Sequence, residues 1–483
     1  MAVSTVEKKK TMLAAEEEPH VAFLHSPGLG HIIPLFQFAK HLVLHHQVRV
    51  SFLVITTGAS TAQKHFLQSA TIPPQLQVIN IPQTDMTDII TEDMLLCTKL
   101  CVMTEESLKP LKSILVELNT KALIIDIFTT QAIDVCEELS IPVYSFFTAS
   151  TILLAFSLYL PTLDSQVEGE FVDLPGPVEV PGCPPIRTND LLDQVKNRKN
   201  EEYRWYLFHA SRMSLVAGIF ANTWQDLEPV TLEALKENPF FEEISTPPVY
   251  PVGPLIKDDE FLTEKEAEII AWLDNQPTDS VIFINLGSGG TLSSKQLTEL
   301  AWGLQMSQQR FILVVRKPTD ASASGNFFIA GSDEIDPSAY LPDGFVEKTQ
   351  EFGLVIPSWA PQVVVLRHES TGTFLSHCGW NSTLESLVHG VPLIAWPLYA
   401  EQRMNAAILT EEVGVAMKLV VEPEKEVIGR EEFERAVRAV MEGEEGKAIR
   451  RRARELKESA CKILDKGGFS YDSICRVVDI WKS

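Results

Sequence analysis

Two residues of this 483-residue sequence have the types and positions that acid–base chemistry needs. His31 lies shortly after an apolar run at residues 21–24, and Asp126 directly follows another at residues 122–125. Such runs are typical of buried parallel strands, whose carboxyl ends place ligands at one edge of an α/β sheet. On neighbouring strands, the carboxylate would fix the tautomer of the imidazole and stabilise its protonated form. Taken singly, each residue is more typical of ordinary structure, a turn histidine and a strand-end cap.

A second chemical feature is the turn that contains His377. A strand-like run at residues 373–375 leads through this turn into a predicted helix that begins with Trp380, Asn381 and Ser382. Backbone N–H groups at a helix start are unpaired and lie at the positive end of the helix dipole, which suits a phosphate or diphosphate. Ser382 and Glu385 also have the S-x-x-E spacing of a capping box, which needs no ligand. Spacing alone leaves both interpretations open.

Parallel sheets must position both features. A strand at residues 21–24, a helix to about residue 43 and a strand at residues 48–55 predict a βαβ unit. An apolar strand at residues 280–286, a glycine turn and a helix from near Ser294 predict a second sheet. The chain is too long for one ordinary core, so we predict two doubly wound domains. We expect a surface connection and candidate lid at residues 167–200 and a surface loop at residues 317–339.

Composition excludes several classes of protein. The net charge of −24 and the isoelectric point near 4.9 argue against a nucleic acid partner, which would need a basic groove. The seven cysteines are scattered without zinc-like spacing, so we expect reduced thiols in a cytoplasmic protein. No signal peptide or membrane span is visible, and residues 1–18 are expected to be a disordered tail.

The 44 residues 359–402 resemble throughout the donor-binding signature of plant family 1 UDP-sugar glycosyltransferases. The resemblance implies that Trp359 stacks on uracil, that Gln362 and the backbone near Ala360 hold the base and ribose, and that Glu385 takes the ribose hydroxyls. It implies diphosphate contacts for His377, Trp380, Asn381 and Ser382, and donor contacts, including those to the hexose, for Tyr399, Glu401 and Gln402. Ser288 matches a family serine that faces the phosphates, whereas Asn285 and Leu286 depart from the more usual serine and phenylalanine.

The first half of the chain carries the same resemblance. The segments S-P-G-L-G-H-I-I-P-L around His31 and I-I-D-I-F around Asp126 resemble those that supply the family's general base and its partner. The implied fold is GT-B, an α/β architecture of two facing doubly wound, Rossmann-like domains with parallel sheets. The implied parts are an acceptor-binding domain at residues 19–250, a linker at 251–260, a UDP-sugar-binding domain at 261–460 and a final helix within 461–483 that returns to the first domain.

The implied function is inverting transfer of glucose from UDP-glucose to a hydroxyl of a small phenol, phenylpropanoid or flavonoid. His31 would remove the acceptor proton, while helix-end N–H groups and His377 stabilise the departing UDP, so we expect no metal and no cofactor. Gln402 and Trp380 resemble the UDP-glucose pattern. We expect a monomer without membrane contact. Flat acceptors need apolar walls, for which we predict Phe128, Phe146, Phe147 and Leu153.

Three alternatives stay open. The donor could be another UDP-sugar, and the protein could be a catalytically silent UDP-sugar-binding protein, although the presence of both His31 and Asp126 speaks against silence. A glycoside hydrolase would need two carboxylates across a glycosidic bond, and the close candidates, Glu385 and Glu401, flank a phosphate turn instead. Acceptor identity and the choice of O-, N- or S-attack depend on the shape of the pocket.

Overall fold

The computed structural model describes residues 18–91, 93–257, 262–320, 323–325, 327–328, 336–421 and 427–483. Residues 1–17 of the predicted tail and 258–260 of the predicted linker lie outside this described part. So do several residues of the predicted loop at 317–339.

The first half of the chain forms one parallel sheet. Its strands are β1 (His20–Leu24), β2 (Arg49–Ile55), β3 (Leu76–Ile81), β4 (Ala122–Ile125), β5 (Val143–Phe147), β6 (Gly218–Ala221) and β7 (Val249–Pro251). Their order is β3-β2-β1-β4-β5-β6-β7. Strand β1 pairs in parallel with both β2 and β4, so the predicted closeness of β1 and β4 is confirmed. The strand order reverses there, which is where such sheets bind ligands.

The second half forms another parallel sheet. Its strands are β8 (Val281–Asn285), β9 (Arg310–Val315), β10 (Gly353–Pro357), β11 (Thr371–Ser376), β12 (Leu393–Ala395) and β13 (Ala416–Lys418). Their order is β10-β9-β8-β11-β12-β13, and the reversal falls between β8 and β11. The prediction of two doubly wound parallel sheets is therefore confirmed.

Helices fill the connections between strands. They are α1 (Leu29–His46), α2 (Thr61–Ser69), α3 (Leu96–Ser107), α4 (Leu111–Leu118), α5 (Ala132–Glu138), α6 (Thr151–Gln166), α7 (Glu201–Arg212), α8 (Pro229–Glu237), α9 (Pro239–Glu243), α10 (Glu264–Asp274), α11 (Ser294–Ser307), α12 (Phe345–Thr349), α13 (Gln362–Arg367), α14 (Trp380–His389), α15 (Gln402–Glu411), α16 (Arg430–Glu442), α17 (Glu444–Ala460) and α18 (Phe469–Lys482). Alternate residues of β1 belong to two apolar clusters, Phe23 with α1 and Leu24 with α6, so both faces of the sheet are covered. Two-sided burial explains why the strand reads as a continuous apolar run.

The last helix, α18, lies on the first sheet. Trp481 belongs to the apolar cluster that contains α1, and its ring centroid is 5.5 Å from that of Tyr144. The hydroxyl of Ser470 at the start of α18 donates to the carbonyl of Gly253 at 2.6 Å. Fourteen residues at the end of the chain thus complete the core of its first half.

The segment at residues 167–200 is not the surface connection expected from its prolines and charges. Phe171, Leu191 and Val195 are fully buried and belong to the cluster that contains α6. The backbone N–H of Asp193 donates to the carbonyl of Ala400 at 3.2 Å, and the Asp193 carboxylate accepts from the N–H of Ala400 at 2.8 Å. The apolar residues between the polar ones therefore anchor this segment against both halves of the chain.

Candidate active site

The predicted base and carboxylate lie together at the end of β1 and β4. His31 is in the first turn of α1, and its Nδ1 is 3.4 Å from Oδ2 of Asp126. The Thr148 hydroxyl is 3.3 Å from the same nitrogen. Both the backbone N–H and the hydroxyl of Ser26 donate to Oδ2 at 2.8 Å, and the N–H of Phe128 donates to Oδ1 at 2.8 Å. The carboxylate is thus held from several sides, and the imidazole meets it through one nitrogen.

The electrostatics of Asp126 favour its ionised form. Burial would raise the pKa of this fully buried carboxyl, but the hydrogen bond and charge of His31, together with the donors of Ser26, lower the pKa below its ordinary value. Asp126 is therefore a carboxylate at neutral pH. A carboxylate in this position orients the imidazole and stabilises the charge that forms when Nε2 takes up a proton.

A donor-sized cavity of about 990 Å³ opens between the carboxyl edges of the two sheets. The first domain contributes Leu29, Gly30 and Ile33 to its wall. The residues predicted to bind the donor that line it are Ser288, Trp359, Ala360, Gln362, His377, Asn381, Ser382 and Glu385. The cavity therefore brings together the predicted nucleotide and diphosphate contacts, which the sequence separates by almost one hundred positions.

The start of α14 decides between the two interpretations of the Ser382 and Glu385 spacing. Gly379 is the N-cap, no side chain caps the helix, and Ser382 is the third helical residue, so the capping-box interpretation is wrong. The helix begins at Trp380, as predicted. The first N–H groups of α14 have no carbonyl four residues back within the helix, and they lie beside the cavity.

The wall beside α14 carries a linked set of polar side chains. The Gln362 amide group donates through Nε2 to the hydroxyl of Ser382 at 2.9 Å and to Oε2 of Glu385. Burial raises the pKa of Glu385 to about 7, although Gln362 and the charge of Lys257 act in the opposite direction. Glu385 is thus a buried carboxyl that changes its charge near neutral pH.

His377 enters the cavity as a neutral imidazole. Burial, assisted by the positive charge of Arg316, lowers the pKa of His377 to about 3. A Cβ placed on Gly287 would lie 2.4 Å from ring atoms of His377, and Gly287 has a φ of +75°, so both its size and its backbone conformation require glycine. The Nδ1 atom of His377 is buried and has no hydrogen-bond partner among the described residues. A neutral ring can still give one hydrogen bond to a phosphate oxygen.

The indole of Trp380 does not face the cavity. Its Nε1 donates to the carbonyl of Asn222 at 2.9 Å, so the side chain joins the two domains and only the backbone N–H of Trp380 is left for a diphosphate. Asn381 makes a second bridge, because its Nδ2 donates to the carbonyl of Gly30 at 2.9 Å. The donor helix is thereby tied to the residue that precedes His31.

A second cavity, of about 1000 Å³, adjoins the first. The two cavities share Gly30, Ser288, His377 and Gly379 in their linings. The second is also lined by His31, by Phe128, Phe147 and Leu153 from the predicted acceptor wall, and by Tyr399, Glu401 and Gln402 from the end of the signature. A base on its wall and a shared border with the donor cavity are the geometry that a group transfer between two substrates requires.

Phe146 does not line the second cavity, and its prediction as an acceptor-wall residue is wrong. Successive residues of a strand point to opposite faces of the sheet, so Phe146 and Phe147 of β5 cannot both face the cavity. Phe146 is fully buried on the other face, where its ring centroid is 5.3 Å from that of Phe38.

Two residues of the site, Arg316 and Phe327, were not predicted from the sequence. Arg316 follows β9, and its guanidinium donates to the carbonyls of Gly287, Gly290 and Ser358, the last at 3.1 Å. It therefore ties the turn after β8 to the turn before Trp359, and its position at a strand end next to β8 could have drawn attention to it. Phe327 lines the second cavity from the loop after β9, and a Cβ on Gly28 would lie 2.4 Å from its ring. No sequence pattern signalled that contact.

The described residues contain neither a cluster of possible metal ligands nor a helix that could span a membrane. No group of three or more His, Cys, Asp or Glu side chains in that part of the chain is arranged to hold a metal ion. None of the described helices has the length and hydropathy needed to cross a bilayer.

Comparison with known proteins agrees with this architecture. Residues 263–476 match the family model described as UDP-glucoronosyl and UDP-glucosyl transferase. The chain is 44% identical to hydroquinone glucosyltransferase of Rauvolfia serpentina over 97% of this chain and 99% of the relative. Among solved structures, TcCGT1 in complex with UDP superposes with a TM-score of 0.90 at 42% identity, covering 96% of this chain and 99% of that one.

A third match was solved with two different ligands bound. UGT2 of Phytolacca americana, solved with UDP-2fluoro-glucose and pterostilbene, has a TM-score of 0.86 and 39% identity, covering 96% of this chain and all of that one. Identities of this size over nearly complete chains identify a family and its GT-B fold. The chain is therefore a member of the UDP-glucoronosyl and UDP-glucosyl transferase family, a GT-B UDP-glycosyltransferase with relatives among plant enzymes.

Proposed function

We propose that this enzyme transfers glucose from UDP-glucose to a hydroxyl of a small, neutral phenolic acceptor, with inversion at the anomeric carbon. The observation that carries the proposal is the place of the His31–Asp126 pair. It lies on the wall of a largely apolar cavity that shares Gly30, Ser288, His377 and Gly379 with the donor cavity.

The chemical step is a single displacement. His31 Nδ1 faces Asp126, so Nε2 takes the proton of the acceptor hydroxyl. The acceptor oxygen forms a bond to the anomeric carbon from the face opposite the diphosphate, and the bond from that carbon to the UDP oxygen breaks. The first N–H groups of α14 and the neutral His377 ring stabilise the charge on departing UDP, so the step needs no metal.

The chemistry of the second cavity supports a neutral aromatic acceptor. Phe128, Phe147 and Leu153 provide flat apolar contact, and no Lys or Arg of the described chain lines this cavity. A carboxylate or phosphate acceptor would lack a partner there. The relative named hydroquinone glucosyltransferase and the structure that holds pterostilbene are consistent with this class.

Glu401 and Gln402, which line the second cavity, support a hexose donor. Gln402 is fixed, because its Oε1 accepts from the backbone N–H groups of Leu398 and Tyr399 at 2.9 and 3.0 Å. Its NH₂ group is the end directed away from those bonds and suits a sugar hydroxyl. Parallel assays with UDP-glucose, UDP-galactose and UDP-xylose test the choice of sugar, and faster transfer from either of the latter two would overturn it.

Removal of the base should separate chemistry from binding. We expect His31→Ala to lower the rate of phenol-dependent UDP release by about 10²- to 10⁴-fold, because the acceptor keeps its proton. UDP binding, measured by calorimetry, should stay at the wild-type value. We expect Asp126→Asn to lower the rate as well.

His45, which is exposed on the same helix, supplies the control. His45→Ala should keep the wild-type rate. Wild-type turnover by His31→Ala would refute the base assignment, and a protein that neither binds UDP nor releases it from UDP-glucose would refute the proposed function.

A further inference from the structure

Asn285 is the last residue of β8 and lies in the wall of the donor cavity. It is 7% exposed and pairs across the sheet with Ser376, the last residue of β11. The resemblance described above leads us to expect serine here, so the chain places a larger amide at this point. The sequence analysis assigned no contact to this position.

The NH₂ group of the Asn285 side chain orients the side chain of Gln362. Its Nδ2 donates to Oε1 of Gln362 at 2.8 Å. Because Oε1 is thereby held on the side of Asn285, the NH₂ group of Gln362 is directed to Ser382 and Glu385, to which it donates. Asn285 thus sets which end of the Gln362 amide meets the donor.

The carbonyl oxygen of the Asn285 side chain accepts no hydrogen bond from the described residues. Oδ1 of Asn285 is buried and has no hydrogen-bond partner among the described residues, although the residue borders the cavity. A buried carbonyl oxygen without a donor is unfavourable, so a ligand group that donates to it would relieve a penalty already present in the free enzyme. Diphosphate oxygens cannot donate, whereas ribose hydroxyls can.

The neighbours of Asn285 indicate which ligand group would donate this hydrogen bond. Gln362 and Glu385, which line the same part of the wall, are the residues assigned to ribose, and uracil belongs beside Trp359. Resting on the proposed function, we propose that Oδ1 of Asn285 accepts a hydrogen bond from a ribose hydroxyl of the UDP-sugar while its Nδ2 holds Gln362 in place. Asn285 is then both a ribose-binding and a positioning residue.

Calorimetry of the full-length enzyme with UDP, 2′-deoxy-UDP and 3′-deoxy-UDP tests the assignment. Wild-type protein should bind UDP more tightly than either analogue. In Asn285→Ala, UDP should bind about 3- to 10-fold more weakly, and the preference for UDP over one of the two analogues should shrink by the same factor. A purely structural role would weaken all three ligands equally and would overturn the proposal.

Asn381→Ala is the matched control, because Asn381 also has a buried, unpartnered Oδ1 in the donor cavity but is assigned to the diphosphate. It should weaken UDP and both analogues by one common factor. If Asn285→Ala does not fold, Asn285→Ser is measured in the same way, since a serine hydroxyl is too short to make both contacts. Unchanged preference in the folded variant would overturn the ribose assignment, whereas failure of wild-type protein to bind UDP would overturn the proposed function itself.

Discussion

Asp126, behind His31, and Glu385, in the wall of the donor cavity, have pKa values moved in opposite directions. Asp126 faces an imidazole and the donors of Ser26, and these contacts overcome its burial. Glu385 is equally buried, but its neighbours are an amide and the more distant charge of Lys257, so burial dominates. Asp126 is therefore charged at neutral pH beside the predicted base, and Glu385 titrates near pH 7 beside the predicted ribose position.

This titration predicts pH-dependent nucleoside binding. Two ribose hydroxyls need acceptors, so we expect the ionised form of Glu385 to be the competent one, and raising the pH from 6 to 8 through a pKa of about 7 should tighten uridine binding by about tenfold. Uridine is the probe because it has no phosphate that titrates in this range. Glu385→Gln should bind weakly and show no such dependence in calorimetry. A wild-type affinity that is flat across this range would contradict the prediction.

Single residues were predictable where a motif or a strand end marks them. His31 and Asp126 follow apolar strands, and most of the donor-binding residues stand within one signature. The side of the sheet on which Phe146 lies was not predictable. Both faces of β5 are buried, so the strand lacks the alternation of polar and apolar residues that would reveal its orientation. The Trp380 indole bond to Asn222 joins residues 158 positions apart, and no local pattern encodes it.

Helix α18 comes last in the sequence but packs against the first domain. It follows all of the second domain, yet its apolar face belongs to the core of the first. Trp481 meets Tyr144 and Phe220, with ring centroids 5.5 and 6.2 Å away. The stability of the first domain therefore depends on a helix that the second domain precedes.

Replacing Trp481 by alanine should destabilise the first domain. We expect a loss of about 3–5 kcal/mol in its free energy of unfolding, because a buried indole leaves a cavity that its neighbours fill only in part. Urea unfolding followed by Tyr and Trp fluorescence measures it. The adjacent Ile480, which is 52% exposed, is the control, and Ile480→Ala should change the free energy by no more than about 0.5 kcal/mol. Equal effects of the two substitutions would show that α18 is not docked.

Short apolar strands were well predicted, because two-sided burial leaves a clear composition. Residues 122–125 coincide with β4, and the limits of the other strands predicted above agree to within two residues. The segment at residues 167–200 was misjudged since its local composition is that of a loop. Its buried residues, such as Leu191, are covered by elements distant in the sequence. That kind of burial is a tertiary effect and leaves no periodic signal.

At the scale of the whole molecule, polar contacts join the domains near the site. Trp380 meets Asn222, Asn381 meets Gly30, and the Ser150 hydroxyl donates to Oδ1 of Asn405 at 3.1 Å. Each bond connects a residue of the donor side with a strand end or a helix start of the acceptor side. The relative position of base and donor is thus set by directional bonds rather than by apolar contact alone.

Buried titratable groups should make the stability of the molecule depend on pH in two opposing ways. Burial lowers the pKa of His209 to about 3, so stability is lost as pH falls from the unfolded pKa of about 6.5 toward that value. Burial raises the pKa of Glu228 to about 7, so the stability it provides is complete below an unfolded pKa of about 4.5 and is lost as pH rises through 7.

Substitutions that remove the titrating group separate these contributions. Between pH 7.5 and pH 5, wild-type protein should lose about 2 kcal/mol relative to His209→Gln and gain about 2 kcal/mol relative to Glu228→Gln. Free energies of unfolding from urea titrations at both pH values give the two differences. The comparison fails if the differences have the same sign or if neither changes with pH.

The docking of α18 on the first sheet also bears on synthesis. A ribosome releases the amino-terminal strands hundreds of residues before Trp481 emerges. Until α18 emerges, the nascent first domain has an exposed apolar face at Tyr144 and Phe220, the residues that Trp481 later covers. Messages cut short before the codons of α18 would yield chains that contain His31 and Asp126 but have an open core, which is the kind of product that chaperones retain and proteases remove.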